Sequence, residues 1–200
     1  MKRIISLLVA LAVSLAVVAQ SAVVVESPAT DAVYRIPMEG SVAVVARELT
    51  PVNLGVAMHL NQIDFCAWEI SATKSSDIVA PREGVVERVE EDSVLILHPE
   101  GLYTSLQAMG SVCVEVGDRV EKGDKIGESG RVSNGNWRVW MATYHLMKNP
   151  NYGTPARNGS YEHLIKYINP VFTTKGKCKV MFVDGGSYTV KARTWCWPWE

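Results

Sequence analysis

The stretch Val114 to Gly130, VEVGDRVEKGDKIGESG, constrains the fold more than any other part of this 200-residue chain. Gly117-Asp118 and Gly123-Asp124 repeat at a six-residue interval, and Val120 and Ile126 follow each pair at the same offset. Glycine at such points lets the backbone take φ > 0 in tight turns. The spacing leaves room only for very short strands between the turns, with Val120 and Ile126 pointing into a common core. The repeat predicts a compact sandwich of short strands.

The rest of the chain reads in the same way. Ser41–Arg47 (SVAVVAR), Gly84–Val89 (GVVERV) and Ser93–Leu97 (SVLIL) are rich in β-branched residues, and Glu90-Glu91-Asp92 makes the second and third of these a hairpin. Val112, Val114 and Val116 alternate with Cys113 and Glu115, the period of a half-buried strand. Trp137–Ala142 is a further strand. Tyr161–Tyr167 (YEHLIKY) reads as a short inserted helix that Asn169-Pro170 stops, after a loop rich in Pro, Gly and Asn over 148–160. Lys177–Val183 and Tyr188–Arg193 flank Asp184-Gly185-Gly186-Ser187 and predict a C-terminal β-hairpin. The expected class is therefore mainly β.

Met1-Lys2-Arg3 followed by the apolar run Ile4–Ala19 and the small residues Ala19-Gln20-Ser21-Ala22 has the layout of a secretory signal peptide, expected over residues 1–21. The expected protein is therefore exported, periplasmic or secreted, and without a stable membrane anchor after cleavage. A net charge of −1 with no basic stripe argues against nucleic acid as a partner. Cys66, Cys113, Cys178 and Cys196 form no CxxC pair, which disfavours a zinc-finger-type site. In an exported chain an even number of cysteines suggests disulfides. A bridge between Cys178 and Cys196 would close the base of the C-terminal hairpin, and Cys66 can meet Cys113 only if their strands are neighbours.

Several motifs together resemble the lysostaphin/LytM-type zinc metallopeptidase family. Ile78–Val86 (IVAPREGVV) is similar to its P-V-x-A-P-x-x-G-x-V, and Val94–Gly101 with Thr104 to its V-x-I-x-H-x-x-G-x-x-T. The Gly-Asp repeat with Ile126-Gly127 follows in order, and Ile168-Asn169-Pro170 is similar to a closing V-D-P. The turn repeat also occurs in biotinyl and lipoyl carrier domains, but no lysine here has the carriers' hairpin-tip setting. The family resemblance implies the duplicated hybrid motif fold. It divides the chain into a leader (1–21), N-terminal strands and lead-in (22–58), a peptidase-like domain (59–172), and a C-terminal hairpin with a Trp-rich tail (173–200).

The family's chemistry uses three protein ligands on zinc, drawn from H-x-x-x-D and H-x-H, with a further histidine from Y-x-H-L. By resemblance, Asp64 stands at the aspartate ligand and Leu60 at the first histidine, with His59 one residue earlier as the weaker alternative. Ala108 replaces the histidine of Y-x-H-L, and Trp137 and Val139 replace those of H-x-H. On this reading Asp64 is a lone remnant, the floor of the groove is apolar, and neither a catalytic set nor a cofactor is expected. His98 matches a family histidine that is not a ligand, while His145 and His163 lie off the motif.

Together, the leader and the degenerate motifs imply an exported, catalytically inactive peptidase-like domain with a binding or regulatory role at the cell envelope, acting on peptidoglycan or on an envelope protein. One alternative is an active zinc endopeptidase of the cell wall with displaced ligands. Another is an interaction protein whose contact surface is the tail, since Trp195, Trp197 and Trp199 alternate and would share one face of an extended strand. Equally, the tail can fold back on the sandwich.

Overall fold

The computed structural model describes residues 33–47, 57–59, 67–156, 159–175, 177–182 and 187–192. The leader, Leu60, Asp64, Cys66, Cys196, Trp195, Trp197 and Trp199 lie outside the described residues, as do the side chains of His59 and Cys178. The strands are β1 (Val33–Arg35), β2 (Ser41–Arg47), β3 (Ala57–His59), β4 (Ala67–Ala72), β5 (Asp77–Val79), β6 (Gly84–Glu90), β7 (Ser93–Leu97) and β8 (Leu102–Gln107). They continue as β9 (Met109–Val112), β10 (Arg119–Val120), β11 (Lys125–Arg131), β12 (Trp137–Lys148), β13 (His163–Ile168), β14 (Val171–Thr174), β15 (Lys177–Val180) and β16 (Ser187–Lys191).

The large sheet runs β10-β6-β7-β8-β12-β4-β2-β16, and β11 leaves β12 to pair with β5 and β9. β12 is the hub, paired along its length with β11, β4, β8 and β13. Alternation of side chains along each strand assigns the two faces. Val44, Ile70 and Val139 lie in one cross-strand row, and Ala46, Trp68, Met141 and Leu106 in the next. All of these belong to the main core with Ile78, Met109 and Ile126 from the short strands. The opposite face carries Ala142, Tyr144, Ile165 and Tyr167 in a second apolar cluster.

The Gly-Asp repeat forms the expected pair of turns. Gly117 has φ 94° and Gly123 φ 103°, the positive values that a type II turn requires at its third residue. Each turn is locked in the same way: Asp118 Oδ2 accepts from the Glu115 amide, and Asp124 Oδ2 from the Glu121 amide, both at 2.8 Å. Val120 and Ile126 are buried.

Three expectations need correction. Residues 163–168 form β13 rather than a helix, and β13 makes six consecutive pairs with β12. Leu164 and Ile165 are both buried, Leu164 at 6% and Ile165 at 1% exposure, so cross-strand packing overrides local helical spacing. The two C-terminal strands do not pair with each other: β15 pairs with β14 and β16 with β2. Of the alternating valines only Val112 is in a strand, because Val116 sits in the first Gly-Asp turn at 65% exposure. The mainly β class and the sandwich of short strands stand.

Candidate functional site

The face of the large sheet turned away from the main core carries a carboxylate and a guanidinium side by side. In the register of β2, β4, β12 and β8 the residues Val45, Glu69, Trp140 and Gln107 form a single cross-strand row. Ala43, Ser71 and Arg138 form the adjacent one. The Trp140 indole N–H donates to Glu69 Oε2 at 3.1 Å, and Arg138 Nη1 lies 3.6 Å from the same oxygen. The Arg138 guanidinium also stacks on Trp140, 4.7 Å from the ring centroid. The Glu69 side chain is only 14% exposed, so these partners compensate a carboxylate withdrawn from water.

Ala108 ends β8 beside this row. It is the one non-glycine residue at positive φ among the described residues, at 58°. The chain kinks there from β8 into β9, and a Cβ on Gly130 would collide with the Ala108 carbonyl. This strained backbone falls at the position that the resemblance aligns with the family's motif histidine, where alanine carries no proton to exchange.

The structure separates the other motif positions. Val139 does not line the groove: it is fully buried in the main core opposite Ile70. Trp137 shares its parity and lies half-buried at the start of β12 between Ala72 and Arg131. The residues of β12 that face outward beside a carboxylate are Arg138 and Trp140. Glu69, on β4, is the carboxylate beside them, and Asp64 lies outside the described residues. His59 pairs with Ile165, which pairs with Leu146 on β12, roughly 23 Å along that strand from Val139 by the usual rise.

Sequence reasoning missed Glu69, Arg138 and Trp140. The available signal was parity. Val139 and Met141 are the aliphatic members of Trp137–Ala142 and belong inside, which leaves Arg138 and Trp140 outside.

Zinc in this family needs three protein ligands. Arg138 and Trp140 offer N–H donors and no lone pair, and Ala108 offers nothing. Among the described residues no group of three or more His, Cys, Asp or Glu is placed to hold a metal ion. The described groove does not fit zinc, and no reaction step is assigned to one.

His98 belongs to a separate buried network. Its Nδ1–H donates to the Glu83 carbonyl at 2.8 Å, and its Nε2 accepts from the Thr104 hydroxyl at 2.7 Å. Burial lowers its pKa, and the nearby Arg82 guanidinium acts in the same direction. Arg82 in turn holds the Glu100 carboxylate at 2.8 Å and Glu83 at 3.1 Å, over the Tyr34 ring. The His, Gly and Thr of the second motif are therefore a structural clasp around the β7–β8 turn. Ile168-Asn169-Pro170 is also structural: Asn169 accepts from the Trp68 indole and donates to the Phe182 carbonyl. Cys113 is exposed and free.

Residues 66–152 match the model of peptidase family M23. Stage II sporulation protein Q of Bacillus subtilis (strain 168) is 38% identical over 63 residues, 29% of this chain and 22% of that protein. The chain thus aligns with about a fifth of that curated relative. Among solved structures, the SpoIIQ-SpoIIIAH pore forming complex aligns at 30% identity over 36% of this chain and 53% of that chain, with a TM-score of 0.34. The M23 metalloprotease pseudoalterin aligns at 14% identity over 76% of this chain and 96% of that chain, with a TM-score of 0.42. Residues 66–152 of this chain are thus similar to peptidase family M23, with alanine, arginine and tryptophan around the groove.

Proposed function

We propose that this domain binds rather than cuts, and that it acts as a protein-docking module of the cell envelope. The observation that carries the reading is the Glu69–Arg138–Trp140 cluster, which fills the outer sheet face with a closed ion pair. Hydrolysis of a peptide bond needs an activated water and a stabilised oxyanion. Ala108 can supply neither, and the guanidinium already neutralises the carboxylate. The 38% identity to Stage II sporulation protein Q supports a role in assembly. SpoIIQ occurs in a pore forming complex with SpoIIIAH, and a partner of that kind is the one we assign to this chain. Export rests on the leader expected at residues 1–21. Peptidoglycan is the second ligand class, since the fold is that of enzymes that act on it, as the resemblance implies.

The test uses the purified chain without its leader. Incubation with peptidoglycan and micromolar zinc should release no new amine termini. A SpoIIIAH-type protein from the same source should co-elute with it in size-exclusion chromatography. Zinc-dependent release of amines refutes the non-hydrolytic half of the proposal. Failure to bind that partner, together with sedimentation on peptidoglycan sacculi, transfers the role to the glycan.

A further inference from the structure

We propose that Arg138 occupies the electrostatic place of the divalent cation in this fold, as the built-in countercharge of Glu69, with the Trp140 N–H as the second group that orients the carboxylate. This assignment rests on the non-hydrolytic reading for the chemistry of the groove and is independent of which partner docks.

Three observations carry it. Arg138 and Trp140 stand two apart on the outward face of β12, the spacing of an H-x-H pair, and Glu69 lies directly opposite Trp140 in the register. Both donors converge on one oxygen, Glu69 Oε2. The guanidinium is itself held by stacking on the indole, and its side chain is 29% exposed, so its position is fixed by packing as well as by charge. A nearly buried carboxylate without a cation costs desolvation energy, and a fold that lost its metal ligands one by one would leave such a group behind. Arginine removes that cost permanently, because it stays protonated at any pH a protein meets. A metal held by imidazoles, in contrast, is released when they are protonated. A divalent ion approaching Glu69 meets a like charge already in place.

The experiment is a thermal double-mutant cycle combined with zinc titration, on the chain without its leader. Glu69→Gln and Arg138→Met should each lower Tm by about 3–10 °C. The double variant should lose about as much as the worse single, because each substitution removes the same interaction. Losses that add up overturn the proposal. Zinc should leave the wild-type Tm unchanged. The variant Arg138→His/Trp140→His, which offers two imidazoles beside Glu69, should bind zinc at least tenfold more tightly than wild type in competition with a chromophoric chelator. Adding Glu69→Gln should abolish that gain. If the double-histidine variant does not fold, Arg138→His is titrated in its place with the same expected direction. Wild-type zinc binding that depends on Glu69, or no gain in a folded histidine variant, refutes the substitution of arginine for metal. Loss of partner binding with the thermal cycle intact refutes the docking role alone.

Discussion

Putting a histidine at Val139 tests which face of β12 that position occupies. Val139 is 0% exposed and packs in the main core. Val139→His removes the burial of a valine side chain, about 1.5–2 kcal/mol. It adds a buried imidazole without a partner, about 1–3 kcal/mol, and overpacks the site by about 1–3 kcal/mol. The sum is about 3.5–8 kcal/mol, which for a chain of this size lowers Tm by roughly 7–32 °C. Trp140→His is the control. It sits on the open face, where it loses one hydrogen bond to Glu69 and part of a cation–π contact, about 1–3 kcal/mol together. Thermal melts followed by circular dichroism, with urea titration for the free energies, measure both variants. If Val139→His costs less than about 1 kcal/mol while Trp140→His costs more than about 3 kcal/mol, the assignment of faces on β12 is wrong.

Three further outcomes are expected. Ala108→Gly should raise Tm, since glycine takes φ 58° without the penalty of about 1 kcal/mol that alanine bears, whereas Ala108→Val should lower it; equal Tm values for the three would show that no strain is stored there. Thr104→Val keeps the shape but removes the hydroxyl that His98 Nε2 accepts from, and should cost about 1–3 kcal/mol in urea titration. His98 has a lowered pKa in the folded chain, so the unfolded chain binds the proton first. Its contribution is therefore constant above the ordinary imidazole range near pH 6.5 and makes the fold less stable as pH falls below it. A His98→Gln variant should lose that part of the pH dependence, and an unchanged slope between pH 6.5 and 5 would remove His98 from the account.

The legible parts of the fold were those written in local chemistry. A six-residue Gly-Asp repeat specifies two turns because glycine tolerates positive φ and the aspartate accepts from a nearby amide, all within a few residues. The β6–β7 hairpin is local in the same sense. Residues 163–168 were misread because their state depends on β12, to which they are joined through a long loop. The C-terminal strands were misread for a related reason. Their turn signal at 184–187 lies, save for Ser187, outside the described residues, and β14 and β2 take up the strands on either side of it. In the groove, the motif reading put Val139 on the floor, whereas the structure buries it in the main core. Pleat parity resolves this, since the face turned to the core has to be Val139 and Met141.

The pairing of β2 with β16 has a consequence for the order in which the chain can fold. Val44 pairs with Ile70 on one side and with Tyr188 on the other, so one neighbour is close in sequence and the other lies near the opposite end of the described chain. Contacts of such separation form late, after the loop between them has been closed. Until β16 arrives, β2 is an edge strand with its backbone groups open and an apolar side chain, Val44, at the border of an unfinished core. A chain emerging residue by residue would hold that edge exposed through the synthesis of nearly everything between. The family match ends at residue 152, and β16, the strand that covers the β2 edge, lies beyond it, so that late step falls outside the matched segment.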